Sequence, residues 1–390
     1  MVVDEIRDEF DNHVIPFWMG LRDDEFGGYY GLLDIDLNLD KKAPKGCILN
    51  SRILWFFSNA YKVLKKPVYL DYAKHSFEFM KKYCFDPEFG GVYWSLTYDG
   101  KVDDSTKHTY NQAFSIYALS SYAEVSEDPE ALELAYSLYS LIEDKCRDEG
   151  GYLEAFTRDF LPAGNDKLSE NGVEAGRTMN THLHIMEAYS ELYRVGKRED
   201  VRASLTEVLK LYRDKIYDSE KERLFVFFDK DFHSIIDLYS YGHDIESSWL
   251  ADRSAEFIED EKLREEIENI DYILAKRILE RAFTGEYLPQ EAEDGEVLEL
   301  GVWWVQVEAM LGFLNAYQKH PEETGFLDAV KAEWEYIKKY IIDKREGSEW
   351  LSEVDKNHEP ITRKPIVEPW KCPYHTGRMY FEVLTRGVLF

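Results

Sequence analysis

Five of the ten histidines in this 390-residue chain fall in short segments that also carry arginine, asparagine and tryptophan. They are His108 in KHTYNQAF, His182 and His184 in TMNTHLHIMEAY, His243 in YGHDIESSWL and His375 in EPWKCPYHTGRMYF. The same segments, with LNSRILWFF and GVWWVQVEA, supply Arg52, Tyr110, Asn111, Asn180, Glu246, Trp303, Trp304, Gln306, Trp370 and Arg378. An imidazole with a pKa near about 6.5 can take or give a proton near neutrality, as general acid–base catalysis requires. Arginine keeps its charge and offers a planar fork of donors to a developing oxyanion. Tryptophan offers a flat apolar face to a sugar ring. Taken alone, each histidine reads equally well as a helix-start residue bonded to nearby backbone. Their grouping favours proton transfer.

Spacing narrows the chemistry. His243 and Glu246 stand three apart on one helical face, so the carboxylate can fix the imidazole tautomer. Asn180 and His184 share a face at four apart, and His375 and Arg378 at three. His182 and His184 diverge by about 200° around a helix, which argues against a joint metal site. The sequence has no HExxH pair and no Cys/His quartet. It also has no phosphate-binding glycine loop and no GxSxG elbow. A glycosidase would need an acid facing a second carboxylate across the bond it cuts. Among these segments Glu246 is the one firm acid.

The elements that must position these residues repeat. A short motif rich in Gly, Tyr and acids occurs at Asp23–Asp34, Asp86–Leu96 and Asp148–Phe156. It returns in degraded form at Thr284–Gln290 and Lys344–Val354, and Tyr217–Phe228 fills the empty slot without glycines. A period of about 60 residues marks a repeat architecture. Helical periodicity precedes each motif over Val3–Trp18, Tyr69–Cys84, Pro129–Arg147, Glu199–Ile216, Glu261–Phe283 and Glu323–Ile342. These helices are charged on one face and should form an outer layer. More apolar helices follow the motifs over Ser51–Leu64, Thr109–Val125, Met179–Val195, His243–Ile258, Val302–Gln318 and Tyr374–Thr385. Six outer–inner pairs describe an all-α (α/α)6 toroid, a single domain over residues 1–390. Its inner helices run parallel, so their N-termini, which carry the candidate residues, should share one mouth.

Composition restricts the partners. Asp and Glu number 76 against 47 Lys and Arg, a formal net charge of −29. That field repels nucleic acid and anionic membrane surfaces and suits a neutral ligand. No apolar run approaches the roughly 18 residues of a membrane span. The start MVVDEIRDEF is acidic and amphipathic, without the basic start and apolar core expected of a signal peptide. Cys47, Cys84, Cys146 and Cys372 lie far apart and read as reduced thiols, so the expected location is the cytoplasm.

The segments SRILWFFSNAY, GGVYW, KHTYNQAF, SYGHDIESSWL, WWVQVEA and PWKCPYHTGRM together resemble the N-acylglucosamine 2-epimerase superfamily, from near residue 50 to near residue 380. The likeness is strongest to its branch acting on β-1,4-linked disaccharides such as cellobiose. It implies an (α/α)6 barrel without nucleotide, metal or redox cofactor. The implied reaction interconverts reducing-end glucose and mannose through an enediolate, with lactose a further candidate substrate. It further implies essential roles for Arg52, His243 and His375, with His184 and Glu246 in the site. Tyr110, Asn180, Trp303, Trp304 and Trp370 match sugar-contacting positions, and Glu291–Leu300 borders the mouth. The expected partner is a small disaccharide, with no nucleic acid and no membrane, and the expected state is a monomer. The alternatives are an aldose–ketose isomerase or an N-acylglucosamine epimerase of the same superfamily, an (α/α)6 glycoside hydrolase, and a non-catalytic sugar-binding protein.

Overall fold

Helix boundaries follow local chemistry. The first three inner helices, Cys47–Leu64, Thr109–Ser126 and Met179–Gly196, each stop at a left-handed residue, Lys65, Glu127 or Lys197. That reversal feeds straight into the next outer helix. Pro67 and Pro129 begin two of these, where a missing N–H costs nothing. In the computed structural model, which describes residues 2–387 apart from 166, 169 and 170, twelve helices alternate outer and inner. The first outer helix occupies residues 2–20, and the later inner helices are Tyr241–Ala255, Trp303–Lys319 and Pro373–Thr385. Each inner helix packs on the next, and the sixth packs on the first. The (α/α)6 ring is closed.

Burial distinguishes the layers. Every residue from Thr109 to Ala123 of the second inner helix is buried, whereas the outer helix Glu199–Leu211 covers one stripe, Val201, Leu205, Val208 and Leu209. Each such side chain contributes about 1.5–3 kcal/mol through lost contact with water. Small residues let the inner helices approach. A Cβ at Gly312 would lie 2.6 Å from the Ile245 carbonyl oxygen, so even alanine there would force two helices apart.

The glycine motifs stitch the repeats together. The strand before each inner helix pairs antiparallel with the motif of the following repeat. Lys45–Gly46 pairs with Ser95–Leu96, Lys107–His108 with Ala155–Phe156, and Arg177–Thr178 with Phe227–Phe228. Leu238–Tyr239 joins Glu291–Glu293, Gly301–Val302 joins Glu353–Val354, and a bridge from Leu33 to Val367 closes the circle. One side chain from each of the first five inner helices then bonds a motif's backbone. Asn50 accepts from Tyr29 N, Gln112 from Val92 N, His182 Nε2 from Tyr152 N, Asp244 from Leu224 N and Gln306 from Leu288 N. The approach is close enough to demand glycine. Gly91 has φ +73° and its Cβ would sit 2.9 Å from the Gln112 Oε1 atom.

Two expectations need correction, and one, the strand-like character of the glycine-free slot, is met. The first inner helix begins at Cys47, four residues before Ser51, which moves Arg52 into its second turn. The glycine-free slot is a tight hairpin, Tyr217–Asp218 against Arg223–Leu224, with Glu222 left-handed at φ 55°. Four outer helices end in a π turn, at Met80–Cys84, Ile142–Cys146, Tyr212–Ile216 and Ile337–Ile341. A 3.6-residue periodicity does not report one widened turn.

Candidate active site

The N-terminal halves of the inner helices surround a cavity of about 1100 Å³, counting its open end. Arg52, Tyr110, Asn180, His184, His243, Glu246, Trp303, Trp304, Trp370 and His375 all line it. The ring therefore brings ten residues from six repeats to one place. His108 and His182 do not line it. His182 is consumed by the fold, its Nδ1 bonding the Thr178 carbonyl at 2.8 Å and its Nε2 the Tyr152 amide at 3.3 Å. Asn111 and Gln306 likewise hold backbone, at Tyr93 O and at Leu288.

Two imidazoles face the cavity beside one indole. Trp304 has its ring 4.9 Å from His243 and 5.4 Å from His375. Gly242 makes room for it, since a Cβ there would meet the indole at 2.6 Å. Their outward nitrogens have different partners. His375 Nδ1 lies 2.8 Å from Glu308 Oε1, and His243 Nδ1 lies 2.7 Å from Ser240 Oγ. The expected tautomer-fixing contact between Glu246 and His243 is absent, because Glu246 is taken by the Arg378 guanidinium. Burial pushes His243 down to about 4, with Glu246 opposing and His184 adding to the fall. Burial also takes His375 well below the usual imidazole range, opposed by Glu246 and assisted by Arg378 and Arg52. Both rings are neutral at pH 7 and able to accept a proton.

Behind them lies a buried charge cluster. Arg378 donates to Glu187 Oε1 at 2.8 Å, and to Glu246 and Glu308. Trp249 Nε1 donates to Glu308 at 3.0 Å, and Tyr374 donates to Glu187 at 2.6 Å. Glu187 also meets His184 Nδ1 at 3.0 Å. Burial would raise the Glu187 carboxyl, but Arg378 and the bonds from His184 and Tyr374 hold it at about 2. Burial raises Glu308, and Arg378 resists it. The donor atoms of Glu246, Glu308 and His375 lie close enough together to hold a metal ion. The guanidinium of Arg378 already bonds both carboxylates and supplies the positive charge there.

Arg52 is arranged differently. Its guanidinium donates to Tyr110 Oη at 2.8 Å and to Cys372 Sγ at 3.7 Å. It lies 4.1 Å from the Phe114 ring centre and 5.1 Å from that of Tyr374. Among the described residues no carboxylate bonds it, and its Nε has no partner. The Asn180 Oδ1 atom is similarly buried and unbonded. A positive charge caged by rings and neutral acceptors remains available to an anion. The cavity also has acids beyond Glu246, namely Glu291, Glu353 and Glu368, but Glu353 is held by Lys364 at 2.6 Å.

Sequence reasoning missed Glu187, Ser240, Trp249, Glu308 and Tyr374. Two left a signal: a glutamate inside the apolar runs LHIMEAY and WWVQVEAML must find a cation or donors when buried. Ser240 left none, because a serine at a helix start reads as a cap.

The profile of the N-acylglucosamine 2-epimerase (GlcNAc 2-epimerase) family matches residues 28–377. A cellobiose 2-epimerase of Ruminococcus albus is 51% identical over 388 residues, covering all of both chains. A solved sugar epimerase from a ruminal bacterium superposes with a TM-score of 0.98 at 51% identity, again over all of both chains. The cellobiose 2-epimerase of Bacillus thermoamylovorans gives 0.95 at 44% identity, covering 98% of this chain and 99% of its own.

Proposed function

Because the chain belongs to the N-acylglucosamine 2-epimerase family, we propose that it interconverts the reducing-end glucose and mannose of β-1,4-linked disaccharides, cellobiose foremost. It is a carbohydrate epimerase. The observation that carries the reading is the pair of neutral imidazoles on Trp304, set in one cavity with an arginine that no carboxylate among the described residues bonds.

The chemistry follows from these groups. Opening the sugar ring exposes an aldehyde, which acidifies the proton on carbon-2. One imidazole takes that proton through its free Nε2, leaving an enediolate. Arg52 stabilises the oxyanion as it forms, within a site where charge is poorly screened. Rotation about the carbon-2 to carbon-3 bond presents the other face, and the second imidazole, once its Nε2 has taken a proton from solvent or by relay from the first ring, delivers that proton there as an imidazolium. His243 and His375 are the acid–base pair in this reading, each a base in one direction and an acid in the other. His184, fixed by Glu187, and Asn180 Oδ1 stand beside them to bind and move hydroxyl protons. Glu246 contributes by holding Arg378. Trp303, Trp304, Trp370 and Tyr110 give the sugars their apolar walls. Hydrolysis fits poorly, since Glu246 and Glu353 are each engaged by a cation, Arg378 and Lys364. The working form is proposed to be cytoplasmic and to need no metal, nucleotide or redox cofactor.

The test is cellobiose in deuterated water, with and without a chelator, followed by NMR and sugar chromatography. Deuterium at carbon-2 of the reducing-end sugar, with the glycosidic bond intact and no loss on chelation, is expected. Free glucose as main product would make the enzyme a hydrolase, and a ketose would make it an isomerase.

A further inference from the structure

Ser240 occupies the N-cap of the fourth inner helix yet does not cap it. Three other polar caps in this chain do their ordinary work, although Thr324 does not. Thr178, at the start of the third inner helix, accepts from Thr181 N at 3.0 Å, and Asp128 and Asp260 cap outer helices in the same way. A lost cap costs about 1 kcal/mol. The Ser240 hydroxyl is buried, lines the cavity and points instead at His243 Nδ1, 2.7 Å away. Resting on the epimerase reading above, we propose that Ser240 is a positioning residue that holds His243 with Nδ1–H bonded to its hydroxyl, leaving Nε2 as the proton acceptor without placing a negative charge against the ring.

The comparison between the two rings carries the argument. His375 Nδ1 faces a carboxylate, which holds a proton on that nitrogen and stabilises the imidazolium once Nε2 has taken a second. Ser240 fixes the ring's orientation equally well but supplies no negative charge. The other ionisable groups facing His243 are Glu246 on its own helix, whose charge is engaged by Arg378, and His184 from the third inner helix. The fifth inner helix presents the Trp304 ring. Among the described residues no carboxylate bonds the His243 ring as Glu308 bonds that of His375. During a turnover the proton from carbon-2 bonds to Nε2 while Nδ1 keeps its own, and the reverse step releases the Nε2 proton to carbon. A hydroxyl partner makes that release easy, and a carboxylate would hold the proton back.

The experiment measures solvent deuterium exchange at carbon-2 separately from the glucose-ended and the mannose-ended disaccharide. Wild-type enzyme exchanges both; if it exchanged neither, the functional reading itself would fall, and this inference with it. Ser240→Ala should slow exchange from one epimer on the order of 10- to 100-fold, as a small misplacement of a reacting group does. Exchange from the other epimer and KM should stay within about threefold, and Ser240→Thr should restore the lost rate. Ser240→Asp should move the acid limb of that same exchange upward by about one pH unit or more, since an adjacent opposite charge favours imidazolium. Unchanged exchange in Ser240→Ala overturns the proposal. So does an equal fall on both epimers that tracks a lower melting temperature, or an acid limb in Ser240→Asp that coincides with wild type. The alanine and threonine variants decide the matter if the aspartate variant does not fold.

Discussion

Glu308→Gln isolates the contribution of charge to the His375 site. In the native site Glu308 Oε1 accepts from His375 Nδ1 at 2.8 Å and from Arg378, while Oε2 accepts from Trp249 at 3.0 Å. All three partners are donors, so a glutamine amide must turn its NH2 toward one of them. That leaves a buried donor unbonded, at about 1–3 kcal/mol of stability. The catalytic effect is separate. When His375 becomes an imidazolium, its charge lies about 4 Å from the carboxylate charge, an attraction of about 4 kcal/mol at an effective dielectric of 20. The amide retains at most a neutral hydrogen bond of about 1 kcal/mol. The net loss of about 3 kcal/mol corresponds to roughly a 100-fold fall in kcat, with KM little changed because Glu308 does not line the cavity. Steady-state rates with cellobiose, taken at several temperatures beside melting curves, measure this. A variant within threefold of wild-type kcat would refute the reasoning. So would a deficit that vanished at low temperature, since that would mark Glu308 as purely structural.

His182→Ala should lower stability by roughly 2–4 kcal/mol, since it removes a buried ring and leaves the Tyr152 amide unbonded, while kcat at low temperature stays near wild type; denaturant titration with a parallel rate assay checks both. With His243 at about 4 and His375 also depressed, both are base-competent above that range and lose activity as falling pH protonates them. The acid limb of kcat/KM should therefore lie well below pH 6.5. The same shift means the unfolded chain binds protons first, so stability should fall between about pH 6.5 and 4, which thermal melts across that range will show. Trp370→Ala removes an apolar wall that serves ground and transition states alike, so KM should rise about tenfold with kcat within about threefold.

The ring and its mouth were legible because they rest on patterns that survive in one dimension. Gly27–Gly28 and Gly90–Gly91 mark positive-φ turns that recur, and aromatic helices following them must face inward. Arg52, His243 and His375 could be placed at one mouth from repeat position alone. The partners could not. Glu246 is three residues from His243, yet Arg378, far along the chain, claims it. Glu308 reaches His375 across 67 positions and Tyr374 reaches Glu187 across 187. Such contacts depend on which inner helices become neighbours and on their rotation, and neither is written in local spacing. His182 was one of the five grouped histidines, and the helix turns it away from the cavity, as its divergence from His184 implies, to fill the slot that Gln112 and Gln306 fill in other repeats.

The cluster around Arg378 also imposes an order on biosynthesis. Glu187, Glu246 and Glu308 arrive on the third, fourth and fifth inner helices, and the guanidinium that bonds all three arrives on the last. A nascent chain lacking its final helix would have three acids converging without that cation, so dry packing of the barrel centre is unfavourable at that stage. The bridge between Leu33 and Val367 closes in the same late segment. Completion of the ring and electrostatic completion of the catalytic floor are thus one event, and a chain truncated short of it can hold neither a finished core nor a site able to turn over sugar by accident.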